Sequence, residues 1–242
     1  MSGKRITHAM VLAAGMGTRM RQLTNGTPKP LVRLGGRALL DHVLNGLGDA
    51  GVRNVVVNVH YLADQIEAHV ADRTHPRITI SDERGELLDT GGGVYKALPL
   101  LGEDAFFVHN SDSVWAERGP STLVRMMDAW NPATMDALLL MAPKSESLGH
   151  DGLGDFEMDE QGILTPRGGR EQQMPYIYAG VAIYHPRLFA ESPEGAFSVL
   201  KLWDKARTAG RLAGIRHNGI WMHVGTPEAL ADAEKCLASR AA

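Results

Sequence analysis

The fold class is indicated most clearly by residues 9–20, which read Ala9-Met10-Val11-Leu12-Ala13-Ala14-Gly15-Met16-Gly17-Thr18-Arg19-Met20. Its first five residues form an apolar run of strand length, and two glycines follow at the carboxyl end of that run. A loop of this kind lets backbone N–H groups approach a phosphate closely, because glycine adopts the turns that the approach requires. The stretch therefore predicts a buried strand that leads into a phosphate-binding loop.

Two familiar nucleotide-binding motifs are excluded at this loop. No Gly-Lys-Ser/Thr follows it, and a dinucleotide fingerprint would need a glycine in place of Met20 and an acid in place of Asn58 or His60 at the end of the second strand. Instead the loop is followed by Arg19 and by Thr27-Pro28-Lys29-Pro30-Leu31, in which two prolines stiffen the backbone around a lysine. An arginine and a lysine beside a phosphate loop suit a polyphosphate ligand.

Strands and helices alternate through the first 140 residues. The predicted strands are Ala9–Ala13, Asn54–Val59, Arg77–Ser81, Ala105–Asn110 and Asp136–Met141. The predicted helices are Ala38–Ala50, Ala63–Asp72, Gly93–Leu98 and Ser121–Trp130. This order predicts an α/β fold with a doubly wound, mostly parallel sheet, whose ligands bind outside the carboxyl ends of the strands.

The alternation stops between Ala142 and Pro175, where prolines and glycines interrupt a polar stretch and predict an excursion of loops and a hairpin. After it we expect strands at Ile177–Tyr184, Leu212–Arg216 and Ile220–Val224, a helix at Phe197–Ala209 and a closing helix after Thr226. The sequence shows neither a repeat nor an interdomain linker, so one domain is expected over residues 1–242.

The charge and the apolar runs of the sequence limit the kinds of partner that the protein can bind. Lys and Arg total 25 against 28 Asp and Glu, so the net charge of −3 provides no general field for a nucleic acid or an anionic membrane. The chain has one cysteine, Cys236. It has no run near the roughly 18 apolar residues of a membrane span. We therefore expect a cytoplasmic protein without nucleic-acid or membrane partners.

Two motifs resemble the signature of the sugar-1-phosphate nucleotidylyltransferases, namely Leu12–Arg19 and Pro28-Lys29-Pro30-Leu31. The similarity extends over nearly the whole chain. It implies a Rossmann-like nucleotidyltransferase fold with a small β-hairpin excursion for the sugar. The implied reaction joins a nucleoside triphosphate to a sugar 1-phosphate and releases pyrophosphate. Short members of the family that use UTP and N-acetylmuramate 1-phosphate in cell-wall sugar recycling share Asp89–Gly93 and Ala97–Gly102, so these substrates are the first expectation.

The resemblance also assigns roles by position. The implied catalytic residues are Arg19 near the departing pyrophosphate, Lys29 near the α-phosphate and Asp112 at a metal ion. The implied nucleotide-binding residues are Leu12, Ala13, Ala14, Gly15, Gly17, Thr18, Arg19, Thr90, Gly91 and Gly92. The implied sugar-binding residues are Asn110, Gly154, Asp155, Tyr178 and Gly180.

The metal site departs from the family pattern at two positions. Relatives have Asn-Gly-Asp where this chain has Asn110-Ser111-Asp112, and Asp-Val-Gly-Thr where it has His223-Val224-Gly225-Thr226. Asp112 and His223 are thus the candidate metal ligands, with Mg²⁺ as the expected cofactor. Because imidazole suits Mn²⁺ better than Mg²⁺, three possibilities stay open. In the first, Asp112, phosphates and water suffice to hold the metal ion. In the second, His223 shifts the metal preference towards Mn²⁺. In the third, catalysis is weakened or lost.

Other functions also stay open. One is a hexose- or heptose-1-phosphate enzyme of the mannose-1-phosphate guanylyltransferase or glucose-1-phosphate thymidylyltransferase type. Another is a nucleotide-binding regulator without turnover, which Ser111 and His223 suggest. Within the excursion, Arg167 and Arg170 could receive an acidic sugar. The expected assembly is a monomer or a small homo-oligomer.

Overall fold

The computed structural model describes residues 5–241, the side chains of residues 21–23, 240 and 241 excepted. The strands are β1 (His8–Leu12), β2 (Arg33–Leu34), β3 (Arg37–Ala38), β4 (Asn54–Val59), β5 (Arg77–Asp82), β6 (Phe106–Asn110), β7 (Ser113–Glu117), β8 (Ala137–Pro143), β9 (Ser147–Leu148), β10 (Phe156–Met158), β11 (Leu164–Pro166), β12 (Tyr176–Tyr184), β13 (Leu212–Arg216) and β14 (Gly219–His223). The α-helices are α1 (Leu39–Asp49), α2 (Ala63–Val70), α3 (Asp89–Leu101), α4 (Thr122–Ala129), α5 (Leu200–Thr208) and α6 (Pro227–Ala241).

The parallel half of the main sheet is built around β1. Strands β4 and β6 pair with β1 on its two sides, and β5 pairs with β4, all in parallel. β1 and β4 are apolar along most of their length because helices cover both faces of the sheet. The carboxyl ends of β1, β4 and β6 consequently meet at one edge of the sheet.

The other half of the sheet is antiparallel at β12, which pairs with β6 and β8. No α-helix lies between β8 and β12 in the described residues to provide a crossover, so the chain returns in the opposite direction. β13 then pairs in parallel with β8, and the hairpin of β10 and β11 extends the sheet beyond β12. The α/β prediction is confirmed, and the sheet as a whole is mixed.

A small second sheet links β7, β14 and β9. β7 and β14 are antiparallel, with Ser113 opposite His223. This pairing brings the residues that follow β6 to the end of β14, more than a hundred positions later in the chain. The sequence pattern predicts neither β7 nor the short hairpin of β2 and β3.

The helices form two layers. One apolar cluster contains buried residues of α1, α2 and α4, and a second on the opposite face contains residues of α3 and α5. A third cluster packs α6 against the small sheet through Met222 and Ala233. Among residues 5–241, no helix is both long enough and apolar enough to span a bilayer.

Helix α3 begins at Asp89, four residues before the predicted start at Gly93. Tertiary hydrogen bonds stabilise this first turn, because the amides of Gly91 and Gly92 both donate to the carbonyl oxygen of Phe197. Since glycine is costly in a helix, sequence propensity alone could not have predicted the earlier start.

Candidate active site

A cavity of about 590 Å³ lies at the sheet edge where β1, β4 and β6 end, and we call it the first cavity. Of the residues predicted to act in the site, it is lined by Leu12, Ala13, Ala14, Gly15, Gly17, Thr18, Arg19, Lys29, Thr90, Asn110 and Asp112. The phosphate loop, the lysine and the acid after β6 are therefore brought together, as the strand rule predicts.

Gly17 allows the phosphate loop to pass close to Lys29. Its φ is +63°, a conformation that favours glycine, and an added Cβ would lie 3.0 Å from the Cβ of Lys29 and 3.3 Å from Cγ2 of Thr24. Gly15, in contrast, has no neighbouring atom within 4 Å of such a Cβ. The loop therefore requires glycine at position 17, because of the positive φ and because a side chain there would be too close to Lys29 and Thr24.

Four charged or titratable side chains meet beside the first cavity; Arg19, Lys29 and Asp112 line it, whereas His223 does not. Lys29 Nζ donates a hydrogen bond to Asp112 Oδ2, and His223 Nδ1 lies 3.8 Å from the same oxygen. On the other side of the imidazole, Arg19 Nη2 lies 3.5 Å from His223 Nε2. We call these four residues the charged cluster. It is the part of the site that can oppose the charge of phosphate groups.

The charged cluster fixes the ionisation of Asp112 and His223. Burial acts to raise the pKa of Asp112, but the charge of Lys29, the hydrogen bond from Lys29 and, when it is protonated, the ring of His223 outweigh it, and the pKa is lowered. The pKa of His223 is also lowered, chiefly by burial and further by Lys29 and Arg19, against the opposing effect of Asp112. At neutral pH the carboxylate is therefore ionised and the imidazole is neutral.

The donor set at the charged cluster fits one hard cation with few protein ligands. Residues 5–241 contain no group of three or more His, Cys, Asp or Glu side chains arranged to hold a metal ion. Asp112 offers carboxylate oxygens at the cavity wall, which are the ligands that Mg²⁺ prefers. Such an ion would take its remaining ligands from substrate phosphates and water.

The first cavity is also lined by a buried polar network that was not predicted from the sequence. Asn58 Oδ1 accepts from the amide of Ala13 at 2.7 Å, and Asn58 Nδ2 donates to Glu83 Oε1 at 2.8 Å. Glu83 Oε2 in turn accepts from the amide of Leu88 at 3.2 Å. Asn58 and Glu83 line the cavity together with Leu87. The sequence signal that could have indicated this network is the presence of polar residues at or just after the ends of β4 and β5.

The glycines in the first turn of α3 allow neighbouring residues to pack closely against the helix. Gly91 and Gly92 line neither this cavity nor the second one described below, and an added Cβ would lie 2.4 Å from the ring of Phe197 at Gly91. At Gly93 an added Cβ would lie 2.8 Å from Glu83 Oε1. Thr90 is the member of the predicted base-binding set after β5 that lines the cavity wall.

A second cavity, of about 550 Å³, adjoins the first and has an aromatic wall of Phe156, Tyr178, Tyr184 and Trp203. Trp203 Nε1 donates to the hydroxyl of Tyr184 at 2.9 Å, and the rings of Tyr178 and Trp203 meet edge to face at 4.7 Å. Burial raises the pKa of the Tyr178 hydroxyl, which therefore stays protonated. The wall is thus an apolar face with fixed hydroxyl groups.

The polar residues of the second cavity include Asp155, Arg167 and Arg207. Asp155 Oδ2 accepts from the amide of Tyr178 at 2.9 Å, which fixes the carboxylate. Arg170 does not line the cavity, whereas Arg207, which the sequence analysis did not consider, does. Two arginines therefore border this cavity, but one of them comes from α5.

Gly154 and Gly180 line neither cavity. Both have positive φ, and an added Cβ would lie 2.3 Å from the Met174 carbonyl oxygen at Gly154 and 2.9 Å from Asn110 Nδ2 at Gly180. Gly180 therefore permits the close approach of β12 to Asn110, so that its effect on the cavity is indirect.

The two cavities share a wall of four residues, Leu12, Asp89, Thr90 and Asn110. We call this wall the junction. Three members of the charged cluster, Arg19, Lys29 and Asp112, line the first cavity together with the polar network, and the aromatic wall lines the second. Two ligands bound side by side would therefore meet at the junction.

The family model for the MobA-like NTP transferase domain matches residues 9–212. The chain therefore belongs to this family of nucleotidyltransferases. Within it, the chain is 47% identical over 234 residues to an N-acetylmuramate alpha-1-phosphate uridylyltransferase of Caulobacter vibrioides, with 95% of this chain and 96% of the relative covered. A protein of the same name from Neisseria meningitidis is 34% identical, with 93% and 96% covered. The predicted enzyme class, sugar-1-phosphate nucleotidylyltransferase, is confirmed.

More distant relatives and solved structures agree with this class. The catalytic subunit beta of mannose-1-phosphate guanylyltransferase from Drosophila melanogaster is 40% identical over 92% of this chain, which spans 60% of that protein. The inositol-1-phosphate CTP transferase of T. maritima has a TM-score of 0.76 at 19% identity, over 96% of this chain and 98% of that one. UDP-glucose pyrophosphorylase complexed with UDP-glucose also has a TM-score of 0.76, at 15% identity, over 97% and 99%. These two structures share the fold of this chain.

Proposed function

We propose that the protein transfers a uridylyl group from UTP to N-acetylmuramate 1-phosphate and releases pyrophosphate, as a step of peptidoglycan sugar recycling. One observation carries the proposal: a cavity with a phosphate loop and a charged cluster meets, at the junction, a second cavity with an aromatic wall and two arginines. The 47% identity to a protein named for this activity supports the choice of substrates. We further propose that residues 1–242 act as one domain, as a monomer or small homo-oligomer, in the cytoplasm where UTP is made.

The chemistry follows from positioning and charge. The phosphate oxygen of a sugar 1-phosphate is already anionic, so its in-line attack on the α-phosphorus needs no general base. Arg19 and the loop amides, which line the first cavity, would stabilise the departing pyrophosphate. Lys29 would neutralise charge nearer to the α-phosphate.

We propose Mg²⁺ as the cofactor, with Asp112 as its protein ligand. When bound, a divalent cation supplies positive charge to the reacting phosphates. The lowered pKa of Asp112 keeps the carboxylate ready to bind a cation at neutral pH. His223 is neutral, and its Nδ1 lies 3.8 Å from Asp112 Oδ2, so the ring would lie next to that ion.

The second cavity suits an acidic amino sugar. A sugar ring can pack on the aromatic wall, and the fixed carboxylate of Asp155 can accept a hydrogen bond from a sugar hydroxyl. Arg167 and Arg207 would pair with the lactyl carboxylate of N-acetylmuramate. Arg207 lies 3.6 Å from Asp204, so a substrate carboxylate would compete with that exposed pair.

A second candidate is the transfer of a guanylyl group to mannose 1-phosphate. The 40% identity to mannose-1-phosphate guanylyltransferase subunits favours it. Mannose carries no carboxylate, so the arginines of the second cavity would have no anionic partner in the sugar. The two candidates therefore differ in their dependence on Arg167 and Arg207.

The test is a matrix of four nucleoside triphosphates against N-acetylmuramate, N-acetylglucosamine, glucose and mannose 1-phosphates, followed by pyrophosphate release. We expect the highest kcat/KM for UTP with N-acetylmuramate 1-phosphate. The Arg167→Ala, Arg207→Ala double variant should lose at least about 10-fold with that sugar, as for a charged hydrogen bond, and much less with the neutral sugars. Arg170→Ala, which removes a charge outside the cavity, is the control.

Equal loss with acidic and neutral sugars would contradict the proposed carboxylate recognition. A preference for GTP with mannose 1-phosphate would select the second candidate. Absence of pyrophosphate release with every pair, in Mg²⁺ and in Mn²⁺, would indicate a binding protein without turnover.

A further inference from the structure

Asp89 occupies a strained position at the junction. Its φ is +60°, and the other residues with positive φ among 5–241 that are not glycine are Leu62 and Glu191. This left-handed conformation is unfavourable for residues with a side chain, although aspartate tolerates it better than most. The chain therefore places an acid where glycine would fit the backbone best, and strain of this kind is typical of functional sites.

The carboxylate of Asp89 has one oxygen free for a ligand. Oδ1 accepts from the amide of Thr90 at 2.5 Å, which holds the side chain at the start of α3. No lysine or arginine within the described residues forms an ion pair with it. The side chain is exposed and borders both cavities. Of the four junction residues it is the charged one.

The position of Asp89 within the first cavity limits what it can contact. The charged cluster would attract the triphosphate, and the part of the cavity lined by Asn58 and Glu83, which adds no cation, would remain for the base. The ribose connects the base to the α-phosphate, which must lie at the junction to react with the sugar phosphate. Asp89 follows Leu88, whose amide donates to Glu83, and it also borders the junction, so it connects the polar network to the place where the phosphates would react.

We propose that Asp89 determines specificity for a ribonucleotide by accepting hydrogen bonds from the ribose hydroxyls. This inference rests on the proposed nucleotidyl transfer, but it holds for any base. A free carboxylate oxygen accepts a hydroxyl hydrogen bond strongly because the acceptor is ionised. A deoxyribonucleotide lacks the 2′-hydroxyl and leaves part of that acceptor unpaired.

The test compares UTP with dUTP, or the corresponding pair for whichever base the substrate matrix selects. We expect the native protein to prefer the ribonucleotide by about 10-fold or more in kcat/KM, the range of a hydrogen bond to a charged group. Asp89→Gly should bring this ratio close to 1, and Asp89→Asn should give an intermediate ratio. The KM for the sugar phosphate should not change. Calorimetric titration of UTP and dUTP without the sugar should give the same ratios.

Glu86→Gln is the matched control, because Glu86 carries a negative charge in the same loop and lines neither of the two cavities. It should leave the ratio unchanged, and thermal melting should show all variants folded. An unchanged ratio in Asp89→Gly, or an effect confined to the KM of the sugar phosphate, would overturn the assignment of Asp89. Loss of pyrophosphate release from the native protein with every substrate pair would instead refute the proposed function.

Discussion

Lys29 connects the phosphate loop to Asp112, since its stem packs beside Gly17 and its ammonium group donates to the carboxylate. We expect Lys29→Ala to lower kcat by about 100-fold or more, because a fixed donor aimed at developing phosphate charge is lost. Pyrophosphate release measures the effect, and thermal melting checks that the fold is intact. Lys235→Ala, which removes a lysine with 78% exposure on α6, is the control. Near-native turnover in Lys29→Ala would contradict the role of Lys29.

His223 stands where the family resemblance implies an aspartate, next to the single carboxylate of the charged cluster. We expect His223→Asp to tighten divalent metal binding and to raise Mg²⁺-dependent activity, because it adds an oxygen ligand of the kind that Mg²⁺ prefers. The ratio of activities in Mg²⁺ and Mn²⁺ and calorimetric titration of Mn²⁺ measure it. His223→Asn, which has a similar size without the charge, separates the carboxylate from the loss of the ring.

If His223→Asp leaves both the metal affinity and the metal preference unchanged, His223 does not belong to the coordination shell. The first of the three possibilities, in which Asp112, phosphates and water suffice, would then account for the site.

At the scale of the element, the start of α3 depends on contact with the loop before α5. Gly91→Ala would place a Cβ 2.4 Å from the Phe197 ring and 2.8 Å from its carbonyl oxygen. We expect a loss of about 1–3 kcal/mol in the free energy of unfolding, as for overpacking of a tight interface. Equilibrium urea unfolding measures it.

Gly46→Ala in α1 is the matched helical substitution, since an added Cβ there has no atom within 4 Å. It should stabilise the protein by up to about 1 kcal/mol. Equal effects of the two substitutions would show that the helix propensity of alanine, and not the contact with Phe197, decides the outcome at position 91.

The elements that the sequence predicted well are those with a local apolar pattern. β4 and β13 have the predicted bounds, because each is a short continuous strand signal. β7 was missed since Ser113–Glu117 becomes a strand only by pairing with β14, and the start of α3 was missed since Phe197 stabilises it. Contacts between residues that are far apart in the chain leave no such signal.

In the candidate site, too, features with a local sequence pattern were predicted and features that depend on contacts between distant residues were not. The phosphate loop, Lys29 and Asp112 carry family motifs, and the structure brings them to one cavity. Trp203 and Arg207 come from α5, whose helical pattern was predicted without any indication of what it faces. The link between Asn58 and Glu83 depends on the register of β4 and β5, which single sequences do not specify.

At the scale of the whole molecule, two buried histidines make stability depend on pH. Burial lowers the pKa of His109 and of His217 to about 4, against a small opposing effect of neighbouring acceptors and acids. Trp115 lies between them, with ring centroids 5.2 Å from His109 and 5.7 Å from His217. Both imidazoles are therefore neutral in the folded protein at neutral pH.

In the unfolded chain these histidines bind protons below a pH of about 6.5, so the unfolded state holds more protons than the folded state between that pH and about 4. Stability should be greatest above this window. As the pH falls through it, stability should decrease by up to about 1.4 kcal/mol per pH unit for each histidine.

Urea unfolding at several pH values measures this slope, and His217→Gln should reduce it by up to half. Proton NMR titration of the histidine rings in the native protein reports the two pKa values directly. Ring pKa values near 6.5 for both residues would contradict the prediction.

The four-residue junction separates two halves of the chain as well as two cavities. Apart from Gly225, the first cavity is lined by residues up to Asp112; apart from the junction and Val108, the second is lined by residues between 155 and 212. If the two cavities bind the two proposed substrates, recognition of the nucleotide and of the sugar phosphate is encoded in different stretches of the gene. Mutations in the later stretch can change the sugar while the nucleotide site and its chemistry are inherited intact, which lets one scaffold diversify one substrate at a time.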